Sequence, residues 1–167
     1  FRAAHKLVRL PNVVSPREQA ARWLVLAIFV VTESTLNGLF FAEGSETGLI
    51  GGFVQAFVLS LLNVGAAVLY AQYGLPLVGY ARPAAKIIGG FTTLLYAAWA
   101  LGINLSIGHF RDLFIQNAGQ VAVSDLASRL TPAPLTLADA KSLLLVALGV
   151  GLSLVSLIDA AGMDDLY

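Results

Sequence analysis

Residues 23–42 read WLVLAIFVVTESTLNGLFFA. As a helix rising about 1.5 Å per residue this stretch is about 30 Å long, one hydrocarbon core of a bilayer. Glu33 lies ten residues beyond Trp23, about 15 Å along, near the midplane of such a span. An ionisable side chain at that depth is costly, so its neighbours have to account for it. Asn37 follows one turn later on the same face, and Thr32 and Ser34 flank the carboxylate.

Upstream, Ser15-Pro16-Arg17-Glu18 has the form of a helix start. Ser15 is placed to cap, Pro16 suits the first helical position, and Glu18 completes a capping box. The first helix is therefore expected over residues 16–42, with Trp23 as an interfacial anchor. Residues 1–14, FRAAHKLVRLPNVV, are basic through Arg2, Lys6 and Arg9 and read as a juxtamembrane segment near anionic headgroups.

Composition agrees with a chain whose solvent is lipid. Of 167 residues, 57% are hydrophobic and only 12% charged, and the mean hydropathy is +0.79; an ordinary soluble domain carries roughly 25% charged residues. Net charge is zero, and no basic run is long enough to engage nucleic acid. The chain has no cysteine, which excludes disulfides, thiolate metal sites and cysteine nucleophiles. It begins at Phe1 and stops just past an apolar run, so soluble segments or partner proteins are expected at either terminus.

The remaining apolar runs predict three more spans, at 49–73, 84–107 and 137–161. The small and polar residues Gly52, Gln55, Ala56, Ser60, Asn63 and Ala67 are read as one face of the second, Ala85, Gly89, Thr92, Tyr96, Ala100 and Asn104 of the third, and Gly149, Ser153, Ser156 and Ala160 of the fourth. Such stripes let helices approach closely and let amides bond across an interface. Gly74, Pro76, Gly79 and Pro83 predict a non-helical connection over 74–83. Residues 108–136 alternate apolar and polar groups and predict an amphipathic segment outside the spans, broken near Gly119 and at Thr131-Pro132-Ala133-Pro134. The expected fold is an all-α integral membrane protein, a four-helix bundle formed by 15–167.

Arg2, Lys6, Arg9, Arg17 and Arg22 flank the start of the first span, and Arg82 and Lys86 flank the connection between the second and third. The turn after the first span carries Glu43 and Glu46 and no basic residue. This excess of Lys and Arg assigns both termini to the cytoplasmic side, as in a bacterial inner-membrane protein.

Two readings of Glu33 stand side by side. In one, Glu33, Asn37, Gln55 and Asn63 line an ion or proton pathway, and several copies form a channel. In the other, the same groups are interhelical glue, with Glu33 protonated and bonded to Asn63 or Gln55. Asp159 is expected at the cytoplasmic surface, paired with Lys86 or with Arg22. His109 and Asp112 sit three apart but offer at most half a metal site, and no phosphate loop or hydrolase motif is present. Asn104-Leu105-Ser106 matches a glycosylation sequon. The sequence thus predicts no enzyme and no cofactor. It favours a membrane anchoring and assembly domain, homo-oligomeric and coupled to cytoplasmic segments, over a conducting subunit.

Overall fold

The computed structural model describes residues 14–42, 48–117, 121, 123–131 and 134–163. The described residues are all helical apart from their connections. The basic segment 1–13, the turn at 43–47 and the expected breaks at 118–120 and 132–133 lie outside them. Four helical runs are long and apolar enough to cross a membrane: Pro16–Ala42, Gly48–Gly79, Pro83–Gln116 and Ala140–Ala161. They run alternately up and down, and two ends follow from this. The near end holds the start of the first run, and the far end holds its finish.

Helix α1 (Pro16–Ala42) opens as expected. Ser15 N–H donates to Glu18 Oε2 at 2.8 Å, and Glu18 N–H donates to Ser15 Oγ at 3.3 Å. Helix α2 (Gly48–Leu69) follows, entered through Gly48 at φ +59°, a left-handed value that glycine adopts without strain. The two helices nearly touch at Gly38 and Gly52. A Cβ on Gly52 would lie 2.7 Å from Gly38 O, and one on Gly38 would lie 2.9 Å from Phe53 Cα. Only backbone hydrogens fit in that space.

Residues 74–83 differ from expectation. The chain stays helical through Gly79, passing from α2 through a widened π turn (Tyr70–Gly74) into the short helix α3 (Leu75–Gly79). Leu75 N–H bonds back to Tyr70 O, five residues away. Pro76 follows directly. In a regular helix its ring would press on the carbonyl four residues back; the widened turn absorbs that conflict instead of ending the helix. Gly74 makes room for Tyr70, whose ring would lie 2.4 Å from a Cβ there.

Helix α4 (Pro83–Gln116) is longer than the expected third span by the whole of 108–116. Nothing in GHFRDLFIQ breaks a helix, and its His, Arg and Asp face the chain leading into the last helix instead of water. Helix α5 (Val123–Leu130) is the predicted amphipathic element, tied to α4 by Arg129 Nη2 donating to Gln116 Oε1 at 3.0 Å. Helix α6 (Ala140–Ala161) begins three residues later than expected, because 137–139 are engaged with α4.

Helix α6 packs against α1, α2 and α4. Its buried face is Ser142, Leu145, Val146, Gly149, Ser153, Ser156 and Ala160, the three-and-four spacing of one helix side. The exterior is strongly apolar, with Ile50 81% exposed, Ile87 74% and Leu94 71%, while the interior holds Glu33 and several Ser and Asn. This inverts the usual arrangement of a protein in water.

Candidate functional site

Glu33 is 1% exposed and lies where the helices meet halfway along the bundle. Helix α2 supplies both its partners. Asn63 Nδ2 donates to Oε1 at 3.0 Å, and Ser60 Oγ donates to Oε2 at 2.8 Å. Ser60 and Asn63 share a face because they are three residues apart. The Asn63 amide nitrogen also donates to Gly149 O on α6, at 2.9 Å. Its carbonyl accepts from Asn104 Nδ2 on α4 at 3.3 Å, and Asn104 is held in turn by Ala100 O at 2.8 Å. One polar network therefore ties all four long helices together.

Gly149 is what lets that network close. A Cβ there would fall 1.8 Å from Asn104 Oδ1. The Asn104 oxygen rests against the bare Cα, so the sequon match at this residue is fully buried.

The four residues expected to converge do not all do so. Glu33 and Asn63 are brought together. Asn37 is buried one turn towards the far end, and its Oδ1 has no hydrogen-bond partner among the described residues. Gln55 is exposed on the outside of α2. It follows Gly52 by three residues but precedes Ser60 by five, which turns it about 140° away from Ser60. Asn104, Ser60 and Gly149 take the places in the network that Gln55 and Asn37 were expected to fill. Their signal was the small-polar stripe on each helix, which marks the inner face but not the partner.

Of the two partners expected for Asp159, Lys86 and Arg22, it is Arg22 that meets it. Arg22 Nη1 donates to Asp159 O at 2.9 Å and lies 3.5 Å from its Oδ1. Lys86 is exposed in the first turn of α4. Arg22 is favoured because α1 packs on α6, and a cation beside the last carbonyls of a helix complements its dipole. The guanidinium also covers Gly162, where a Cβ would lie 2.3 Å from Nη1.

Two further clusters went unread in the sequence. In the near half, the rings of Tyr70 and Tyr96 stack with centroids 4.7 Å apart. Tyr96 OH meets Ser153 Oγ at 2.9 Å, and Tyr70 OH meets Thr93 Oγ1 at 2.7 Å. Thr93 also bonds Gly89 O at 2.7 Å, so its hydrogen is used there and Tyr70 is the donor of the pair.

At the far end, α4 clasps the start of α6. His109 Nε2 donates to Pro134 O at 2.8 Å, a contact that places the ring hydrogen on that nitrogen. Asp112 Oδ2 accepts from Ala138 N at 2.6 Å. Arg111 donates to Ser142 Oγ at 3.0 Å, pairs with Asp139 and lies 5.5 Å from the Phe40 ring. The Arg111 hydrogen bond holds the Asp139 carboxyl below its ordinary value. His109 and Asp112 thus serve the clasp, and no group of three metal-ligating side chains occurs among the described residues.

No protein-family model, curated protein or solved structure matches this chain.

Proposed function

We propose that this chain is the membrane-embedded anchoring and assembly domain of a larger protein. Its four long helices cross the bilayer, both ends lie on the cytoplasmic side of a bacterial inner membrane, and Glu33 serves as an interhelical tie. The apolar exterior and polar interior support the membrane setting. The observation that carries the anchoring role is that both oxygens of Glu33 are engaged by side chains of the same protomer. A pathway needs that carboxylate free to exchange its ligand.

Proton bookkeeping supports a neutral Glu33. Ser60 has one hydrogen and two acceptors near it, Glu33 Oε2 at 2.8 Å and Val30 O at 3.3 Å. With a neutral Glu33 the 2.8 Å bond runs in the opposite sense: the carboxyl donates to Ser60 Oγ, and Ser60 donates to Val30 O, which also accepts from Ser34 Oγ. Every hydrogen has an acceptor, and no bare charge is left in the apolar interior.

The second reading, proton or ion conduction, draws on the chain of polar groups from Glu33 through Asn63 to Asn104. Two of those three groups are carboxamides, which do not take up or release protons near neutral pH. The chain is therefore a poor relay.

Proton flux into liposomes carrying a pH-sensitive dye separates the two. The anchoring role predicts that wild type and Glu33→Gln both match protein-free vesicles. Flux in the wild type that disappears in Glu33→Gln would establish conduction and overturn the anchor.

A further inference from the structure

Gln55 is the polar residue of α2 that the Glu33 network leaves out. It faces outward, seven residues past Gly48 and about 10 Å in from the far end. Around it on the outside of α2 are Val54, Val58 and Leu62, which are 55%, 51% and 46% exposed. Among the described residues its carboxamide has no hydrogen-bond partner.

Outward-facing hydroxyls do not share this problem. Thr35 donates to Val31 O at 2.7 Å and Ser106 donates to Gly102 O at 2.7 Å, each turning back on its own helix. A carboxamide has two N–H donors and a carbonyl, and its own helix cannot satisfy both kinds at once. In a bilayer such a group is costly until another polar group meets it.

We infer that Gln55 is the contact through which two copies of this chain associate side by side, carboxamide to carboxamide. This rests on the membrane-embedded reading above. A carboxamide is its own complement, since each group donates an N–H to the other's carbonyl. Two copies inserted in the same orientation hold Gln55 at the same depth. A two-fold axis along the membrane normal then brings identical residues face to face. Beside Gln55 is an apolar recess of about 490 Å³ between α2 and α4, walled by Phe41, Val58, Ile103 and Phe110 under Leu126. It offers the neighbouring helix a place to seat its aliphatic side chains.

Gly52 and Asn63, which share the small and polar stripe read on the second span, are not available for assembly. Both are consumed inside one protomer, Gly52 against α1 and Asn63 by Glu33, Gly149 and Asn104.

The chain has no cysteine, so single introduced cysteines report proximity cleanly. Leu62 is about 20° from Gln55 around the helix, and Phe57 is about 160° away. In phosphatidylethanolamine–phosphatidylglycerol vesicles, Leu62→Cys is expected to oxidise to a disulfide dimer and Phe57→Cys to remain monomeric. Energy transfer between labelled copies measures the association constant. Gln55→Leu is expected to lower it roughly tenfold, within the range of one interhelical amide contact, while Gln55→Asn retains most of it. Thermal unfolding of Gln55→Leu in dilute detergent should match wild type, because Gln55 is outside the protomer's network.

Wild type that stays monomeric at every protein-to-lipid ratio overturns the proposal and leaves the recess to lipid. Association of Gln55→Leu equal to wild type overturns it too, as does cross-linking through Phe57→Cys as efficient as through Leu62→Cys. A chain that does not partition into membranes removes the anchoring reading along with this one. A chain that partitions but does not dimerise removes this one alone.

Discussion

Glu33 and Arg111 are almost equally sealed from solvent, at 1% and 2% exposure, yet they are stabilised in different ways. Glu33 meets one hydroxyl and one carboxamide, and its bonds include no charged partner among the described residues. Arg111 meets Asp139, whose side chain is 43% exposed, together with a hydroxyl and an aromatic face. Full charges are tolerated at the far end because one member of the pair reaches solvent. In the middle of the bundle nothing reaches solvent, so the partners are neutral and fit depends on shape. That is why the middle needs a glycine at 149, whereas the clasp needs matching charge.

The strongest test of this contrast is Gly149→Ala. The added methyl meets Asn104, which the network holds in place, so about 3 kcal/mol of stability should be lost in thermal unfolding in detergent. Combining it with Asn104→Ala removes the clash. The double variant should be more stable than the sum of the two singles by most of that cost, about 2 kcal/mol. Strict additivity would mean that the steric account of the middle is wrong.

The next largest effect is expected at the clasp. Arg111→Met keeps the apolar stem but loses the bond to Ser142 and the contact with Phe40, at a cost of about 2 kcal/mol. Its pH dependence gives a second readout. Asp139 is held below 3.8, so its contribution to stability is present at neutral pH and lost as pH falls below that value. In Arg111→Met this acid-sensitive part of the unfolding curve should shrink, leaving the share set by the Lys141 backbone N–H and charge. If it persists unchanged, another group is responsible.

Glu33→Gln should have the smallest effect, within about 1 kcal/mol of wild type at neutral pH. The glutamine carbonyl still accepts from Asn63, and its amide can donate to Ser60. A loss of several kcal/mol would show that the native carboxyl is ionised, and the middle would then resemble the clasp.

Much of the architecture was legible before any coordinates. The capping box at Ser15, four apolar runs and a stripe of small residues on each are local patterns, and helices read such patterns directly. The Glu33–Asn63 bond was among the partners expected, because both lie on stripes at compatible depths. What escaped reading was set by contacts between distant segments. The sequence pattern ends the third span at 107 because His109, Arg111 and Asp112 look like surface residues; only the return of 134–142 explains their burial. The step of three from Gly52 suggests an inward Gln55, whereas the five residues that separate it from Ser60 turn it out. Lys86 and Arg22 were equally good partners for Asp159 until the packing of α1 on α6 chose between them. Pro76 signalled a break, and a widened turn is the other way a helix accommodates a proline.

That widened turn has a consequence for how the chain tolerates changes in length. Five residues, Tyr70–Gly74, occupy a turn that a regular helix closes with one residue fewer. Removing a single residue there would restore ordinary winding and leave everything beyond in nearly its present phase, but it would press the Pro76 ring on the carbonyl four residues back. Val78 would keep its side towards Gly89, against whose missing Cβ its backbone nitrogen now lies at 2.6 Å. The spare residue makes room for the proline while leaving the two flanking pieces in phase. The same deletion in α1 or α6, where no slack exists, would shift every buried side chain after it.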